Sequence, residues 1–180
     1  MVENNTSESK KYLEFLKTRR SIRIFKPEPI SDDLVFEILD VARFAPSAKN
    51  MQPWEFIVMK NKELLKKLSR IHRWAKPVSN APVAIVVICD KELAPISYQV
   101  DCANAAMYIM LAAHALGLGT VWIQTLRNVK EIQKILNIPS SKIPIAIIAM
   151  GWPAEKPEPK PRKQLKEIVH ENLYLSLIHI

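Results

Sequence analysis

Apolar residues recur at helical spacing over residues 10–19 (KKYLEFLKTR), where Tyr12, Phe15 and Leu16 share a face; the pattern predicts a first helix capped by Thr6 or Ser7. Ser31 opens a second helix, DDLVFEILDVARFA, with Leu34, Ile38, Val41 and Ala42 on one stripe, and it ends at Pro46. The loop APSAKNMQPW then leads into the strand EFIVMK. KNKELLKKLSRIHRW reads as one amphipathic surface helix, and residues 81–90 (APVAIVVICD) as a strand buried on both faces. Residues 98–116 form a long helix of small and apolar residues, stopped by Gly117. A helix apolar nearly all round must be covered, and a subunit interface is one natural cover. TVWIQ (residues 120–124) and IAIIAMG (145–151) read as two more strands, with a short helix capped by Asn128 between them. About four strands and six or seven helices, not strictly alternating, define an α+β protein.

After Gly151 the pattern stops. WPAEKPEPKPRK carries four prolines, which force an extended path. Residues 1–180 are therefore expected to form one domain, with 152–180 an extended arm delivering Lys160 and Arg162 to the body or to a partner subunit. The C-terminal ENLYLSLIHI is apolar enough to pack against a partner.

Composition narrows the chemistry. No apolar run is long enough for a membrane span, and the polar start MVENNTSESKK lacks a signal peptide's apolar middle, so a cytoplasmic location is expected. Cys89 and Cys102 match no metal or redox spacing and are expected to be reduced, buried thiols. The four histidines show no metal-like pairing, and no metal is expected. Pro53-Trp54 reads equally as a packing corner, and Asp101 as a residue compensating a helix dipole. The net charge of +8 fits either nucleic acid or a phosphate-bearing cofactor, but the cations are scattered and no nucleic-acid-binding signature accompanies them. Only three glycines are present, too few for a dinucleotide fingerprint or a P-loop, so any phosphate must be held by side chains.

That requirement directs attention to residues 19–25, RRSIRIF. Arg19, Arg20 and Arg23 repel one another unless solvent or an anion separates them, and Ser21 adds a hydroxyl suited to an oxyanion. Taken alone, the stretch favours a solvated helix end, with cations set against the C-terminal dipole.

RRSIRIF, APSAKNMQPW, the alanine-rich helix ending ALGLGTVW, and GWPAEKPEPKPRK occur in an order that resembles the FMN-dependent nitroreductase family over residues 10–172. The resemblance implies a nitroreductase-like fold whose central mixed or antiparallel sheet is completed by a strand or arm from the partner subunit. It places Arg19, Arg20 and Ser21 on the FMN phosphate and ribityl chain, Arg23 at the N1/O2 edge of the flavin, and Lys160 and Arg162 on the phosphate. Pro46, Ser47, Ala48, Asn50 and Gln52 would reach the flavin of the neighbouring subunit, and Ile123, Gln124 and Thr125 would give backbone contacts near N5. Two departures bear on the substrate pocket: Gln124 and Thr125 stand where a glycine is common, and Ala48 lacks a hydroxyl that many relatives keep.

The function implied is hydride transfer from NAD(P)H through FMN to a nitroaromatic, quinone or related acceptor by a ping-pong mechanism, in a homodimer with FMN at the interface. Arg23 would act electrostatically on the reduced flavin. No residue separates NADH from NADPH. The alternatives are a specialised FMN enzyme of the same fold, of dehalogenase or azoline-oxidase type, and a basic nucleic-acid-binding module.

Overall fold

The computed structural model describes residues 5–174, with side chains from residue 8 onward. Four strands form one sheet: β1 (Trp54–Met59), β2 (Val83–Asp90), β3 (Gly119–Gln124) and β4 (Lys142–Gly151), in the order β1-β2-β4-β3. Each neighbouring pair is antiparallel, so the sheet is wholly antiparallel and not mixed.

Strand β2 shows how one apolar run serves two cores. Successive side chains alternate faces. Val83, Ile85, Val87 and Cys89 meet α2 (Asp32–Ala42) and α5 (Tyr98–Ala115) through Val35, Ile38, Ala105 and Ile109. Ala84, Val86 and Ile88 meet Leu65 and Leu68 of α3 (Lys62–Leu68), Val78 of α4 (Pro77–Asn80) and Ile132 of α6 (Val129–Leu136). A continuous apolar run thus marks a strand covered on both faces whatever the direction of its neighbours. Trp54 packs in the first of these clusters, as a structural corner.

Several local expectations change. Helix α1 (Asn5–Thr18) contains Thr6 and Ser7 within it, and their side chains fall outside the described ones. Ser31 does cap α2 by accepting from the Leu34 N–H, but the buried stripe is Val35, Ile38 and Ala42, and Val41 is exposed. The single helix expected over residues 60–74 is broken: α3 ends at Leu68, and a 3₁₀ turn at Arg73–Ala75 precedes α4. Ile71 and Ala75 stay in the core across the break, and the Ile71 carbonyl accepts from the Asn128 side chain. Asn128 makes no cap; its amide donates to the Ile71 carbonyl and ties α6 to that break.

Cys89 and Cys102 are buried, as expected, but they are joined in a disulfide. The end of β2 and the first turns of α5 bring their Cα atoms to 6.1 Å, within bridging range. Sequence spacing could not show this, because the approach is tertiary.

Of the two courses open to the proline-rich arm, it takes the first and lies against its own chain. Phe25 bridges Pro153, the Lys26 N–H donates to the Trp152 carbonyl and the Ala154 N–H to that of Ile24. A stiff arm needs no reversal here, because β4 already ends beside Phe25. Close approach explains two of the scarce glycines. A Cβ on Gly119 would meet Ile22 at 2.7 Å, and one on Gly151 would meet Pro82 at 2.8 Å and Phe25 at 2.9 Å.

Among the described residues, no helix is long and apolar enough to cross a membrane. Several apolar side chains remain uncovered: Tyr12, Leu13 and Leu16 on α1, and Val100 and Met107 on α5. Of the C-terminal stretch, Leu173 and Tyr174 are exposed, and residues 175–180 lie outside the described ones.

Candidate functional site

Residues 19–25 run along the outer edge of β3, where the Ile22 N–H donates to the Thr120 carbonyl at 2.9 Å. The arm returns antiparallel beside them, and Glu155 accepts from the backbone N–H groups of both Arg23 and Ile24. This pairing closes a cavity of about 220 Å³ lined by Arg19, Arg20, Ser21, Arg23, Lys160 and Arg162, with Pro157 and Glu158. The two basic segments, 137 residues apart at Arg23 and Lys160, therefore meet in one chain.

The arginines divide the work. Arg20 donates to the Lys17 and Arg19 carbonyls, so it does serve the end of α1. Arg19 does not: its Nη1 is buried without a hydrogen-bond partner among the described residues. Burial, and then the charges of Arg20 and Arg162, push the Arg19 pKa down from its ordinary value. A buried donor left empty among like charges is costly unless an anion fills it.

Next to this cavity, one of about 440 Å³ opens towards Thr18, His114 and Gly117. His114 stacks on Phe15 with ring centroids 4.9 Å apart, and its Nε2 lies 3.0 Å from the Thr18 hydroxyl. That hydroxyl already donates to the Phe15 carbonyl, so Nε2 is the donor to it. Burial, with Arg19 nearby, holds the His114 pKa below the usual imidazole value.

On the other side, across Arg23, a cavity of about 690 Å³ follows the edge of β3 and takes in Trp122, Ile123, Arg73, Trp74, Lys76 and Asn80. The Thr120 and Gln124 carbonyls both bond outside the sheet, to Ile22 and His72 respectively. Trp122 lies between them on the same backbone edge, by the period of two. Ile123 lines this cavity, whereas the Gln124 side chain turns back to accept from the Thr125 and Leu126 N–H groups. The Thr125 hydroxyl is buried and donates to the Pro144 carbonyl at 2.7 Å, which commits it to the scaffold.

The loop bearing Pro46, Ser47, Ala48, Asn50 and Gln52 is elsewhere. It is largely exposed, and Lys49, Asn50 and Gln52 all adopt positive φ (50°, 57° and 47°), a costly state for residues other than glycine. Asp101, 3% exposed, holds this strained loop by accepting from the Ala48 N–H and the Ser97 hydroxyl. Asn104 donates to the Pro46 carbonyl. These anchors sit in the first turns of α5, whereas His114 and Gly117 border the cation-lined side at its other end. Thirteen helical residues from Asp101 to His114 span about 20 Å. Within one chain the loop does not join the arginine cluster.

Four residues were not legible as site residues. Glu155 fixes the backbone of Arg23, Asp101 fixes the loop, and Trp122 carries the strand edge. His72 donates through Nε2 to the Gln124 carbonyl, with Nδ1 buried and unpartnered among the described residues. Only Asp101, an acid at the start of an apolar helix, left a signal, and it also fitted a dipole role.

The family model described as Nitroreductase family matches residues 16–99 and 73–152, and the chain belongs to that family. A Methanothermobacter thermautotrophicus protein, provisionally named NADH dehydrogenase/NAD(P)H nitroreductase, is 43% identical over 150 residues, covering 81% of this chain and 78% of the relative. The oxygen-insensitive NADPH nitroreductase of Salmonella typhimurium is 31% identical, covering 92% and 75%. Among solved structures, an FMN-dependent nitroreductase from Clostridium difficile R20291 superposes with a TM-score of 0.81 at 38% identity, covering 90% of this chain and 99% of that one.

Proposed function

We propose that this protein is an FMN-dependent oxidoreductase that passes hydride from NAD(P)H to a nitroaromatic, quinone or related acceptor by a ping-pong mechanism. The observation that carries the reading is Arg19, whose Nη1 is buried without a hydrogen-bond partner among the described residues and which lines a cavity with Lys160, Arg162 and the backbone-pinned Arg23. A terminal phosphate fits that donor set, as a bidentate acceptor for arginine and a hydrogen-bond acceptor for Ser21. The relatives named for FMN and NADPH support the same assignment. When bound, FMN supplies the hydride-accepting and hydride-donating chemistry.

The chain's own residues supply position and charge. Arg19, Ser21, Lys160 and Arg162 hold the phosphate, and Arg20 braces the helix end behind them. Arg23, its backbone pinned by Glu155, faces both the phosphate cavity and the cavity along β3, and there it stabilises negative charge developing on the ring. Ile123 and the strand edge line the ring cavity. The strained loop with Pro46, Ser47, Ala48, Asn50 and Gln52 belongs to the neighbouring subunit's site, because it cannot reach its own. The uncovered faces of α1 and α5 support a homodimer that brings the two together.

The purified protein is expected to be yellow, and denaturation should release FMN. Release of FAD, or no flavin after reconstitution, refutes the proposal. Arg23→Ala should lower the midpoint potential of the flavin while leaving much of its binding; an unchanged or raised potential removes that role from Arg23.

A further inference from the structure

The connection between α2 and β1 is strained where Lys49, Asn50 and Gln52 hold positive φ, and such backbone persists only where its surroundings fix it. Two different elements do the fixing. At the near end α5 supplies both anchors: Asn104 donates to the Pro46 carbonyl, and Asp101 accepts from the Ala48 N–H. At the far end β2 supplies them: the Asp90 N–H donates to the Pro53 carbonyl at 2.8 Å, and Trp54 stands opposite Cys89 in the β1–β2 ladder. Cys102 directly follows Asp101, and Cys89 directly precedes Asp90. The disulfide between them therefore joins one anchoring turn to the other. The two elements also share an apolar cluster that includes Val87, Ala106 and Ile109, but that attraction is non-directional and sets no spacing between two particular turns. A bond that closes 13 residues constrains the unfolded chain less than one closing a long loop, so chain entropy alone does not single out this place.

We infer that the Cys89–Cys102 bond positions this loop: it fixes the separation of the α5 and β2 anchors and so holds Lys49, Asn50 and Gln52 in their left-handed conformations. Without the bond the two turns are free to separate, the anchoring hydrogen bonds lengthen, and the loop relaxes from positive φ. The Ser47 hydroxyl accepts from the Gln52 N–H, and the Gln52 side chain donates to the Asn50 carbonyl. Relaxation at any one residue therefore displaces these polar side chains together. Cys89 and Cys102 are positioning residues, acting through Asp90, Asp101 and Asn104. That Ser47, Asn50 and Gln52 meet the flavin of the neighbouring subunit rests on the proposed function; the hold of the bond on the loop does not.

The full chain saturated with FMN is compared in three forms: with the disulfide intact, reduced with dithiothreitol, and as Cys89→Ser with Cys102→Ser. Reduction breaks the S–S bond, adds a proton to each sulfur and leaves dithiothreitol as its cyclic disulfide; the thiols are counted by alkylation. Hydrogen exchange is followed in peptides covering residues 46–53 and, as a control beside the other end of α5, residues 21–26, where Glu155 holds the Arg23 and Ile24 N–H groups. Loss of the bond should speed exchange in 46–53 about ten-fold or more and leave 21–26 within about two-fold, and reoxidation should restore the slow rate. FMN affinity should fall about three- to ten-fold. Unchanged exchange in 46–53, or equal acceleration in both peptides, overturns the positioning role and leaves the bond a general stabiliser. Faster exchange in 46–53 with unchanged FMN affinity upholds the hold on the loop and removes the loop from the flavin site. A protein that binds no FMN overturns the proposed function, and the exchange comparison alone then decides the positioning role.

Discussion

Helix α5 separates two regions built on opposite principles. Near its C-terminal end, the Arg19 cavity is assembled entirely by one chain: RRSIR lies on the β3 edge, the proline arm lies on RRSIR, and Glu155 locks the pair. Near its N-terminal end, the 46–52 loop is also held firmly, by Asp101 and Asn104 and by its own Ser47–Gln52 and Gln52–Asn50 hydrogen bonds, yet it stays largely exposed and apart from the arginine cluster. One region gathers cations around a cavity, and the other holds a strained loop at the surface. In the proposed homodimer the two would meet across the interface, so that strain and unpaired charge held at separate places in a subunit would be relieved together.

Breaking assembly should therefore have the largest effect. Charges on the exposed side of α5, Val100→Asp with Met107→Asp, should give a monomer by light scattering. Losing three polar contacts from Ser47, Asn50 and Gln52 at ~0.5–1.5 kcal/mol each should weaken FMN binding by about 2–4 kcal/mol. A monomer that keeps its flavin would show that the loop plays no part in the site.

The disulfide stiffens only the loop end, because it ties β2 to the turn of α5 that carries Asp101. Replacing Cys89 and Cys102 with serine should cost about 3 kcal/mol of unfolding free energy for a loop of this size. The effect on stability should exceed that on FMN affinity, as read by denaturant titration beside flavin titration.

At the other end, Arg19→Ala or Arg162→Ala should each weaken FMN by about 1.5–3 kcal/mol, the scale of a charged hydrogen bond, without changing the dimer. Unchanged affinity in both would return RRSIR to a helix-end role. Asp101→Asn keeps the shape but weakens the acceptor for Ala48 and Ser97. About 1 kcal/mol of FMN affinity should go with it, and the rotation of the loop should be visible in a crystal structure.

The smallest effect concerns pH. The folded pKa of His114 is depressed, so unfolding takes up a proton below the ordinary imidazole value of about 6.5. Stability of the flavin-free protein should be fully present above that pH and decline as pH falls through the folded pKa. His114→Gln should flatten the decline. Bound FMN should reduce it as well, because a phosphate beside Arg19 offsets part of the charge acting on His114; an equal slope with and without flavin would separate the two cavities.

The sequence by itself determined what local chemistry decides. The alternation and apolar density of residues 83–90 placed a doubly covered strand, residues 98–115 a long helix, and the four prolines an extended arm. The ordered motifs identified the family, and the scarcity of glycine argued against a backbone phosphate loop. Tertiary structure decided everything that depends on which distant groups become neighbours. Cys89 and Cys102 became a disulfide because β2 and α5 converge. The arm folded onto its own chain because β4 ends at Phe25, and the helix expected over residues 60–74 ended at Leu68, with the Ile71 carbonyl accepting from Asn128 of a distant segment. The Thr125 hydroxyl went to the scaffold, and Glu155, His72 and Trp122 came to the candidate site, through backbone carbonyls, amides and strand edges. Backbone groups are common to every residue, so their partnerships leave no mark in composition or spacing. Only the folded chain selects them.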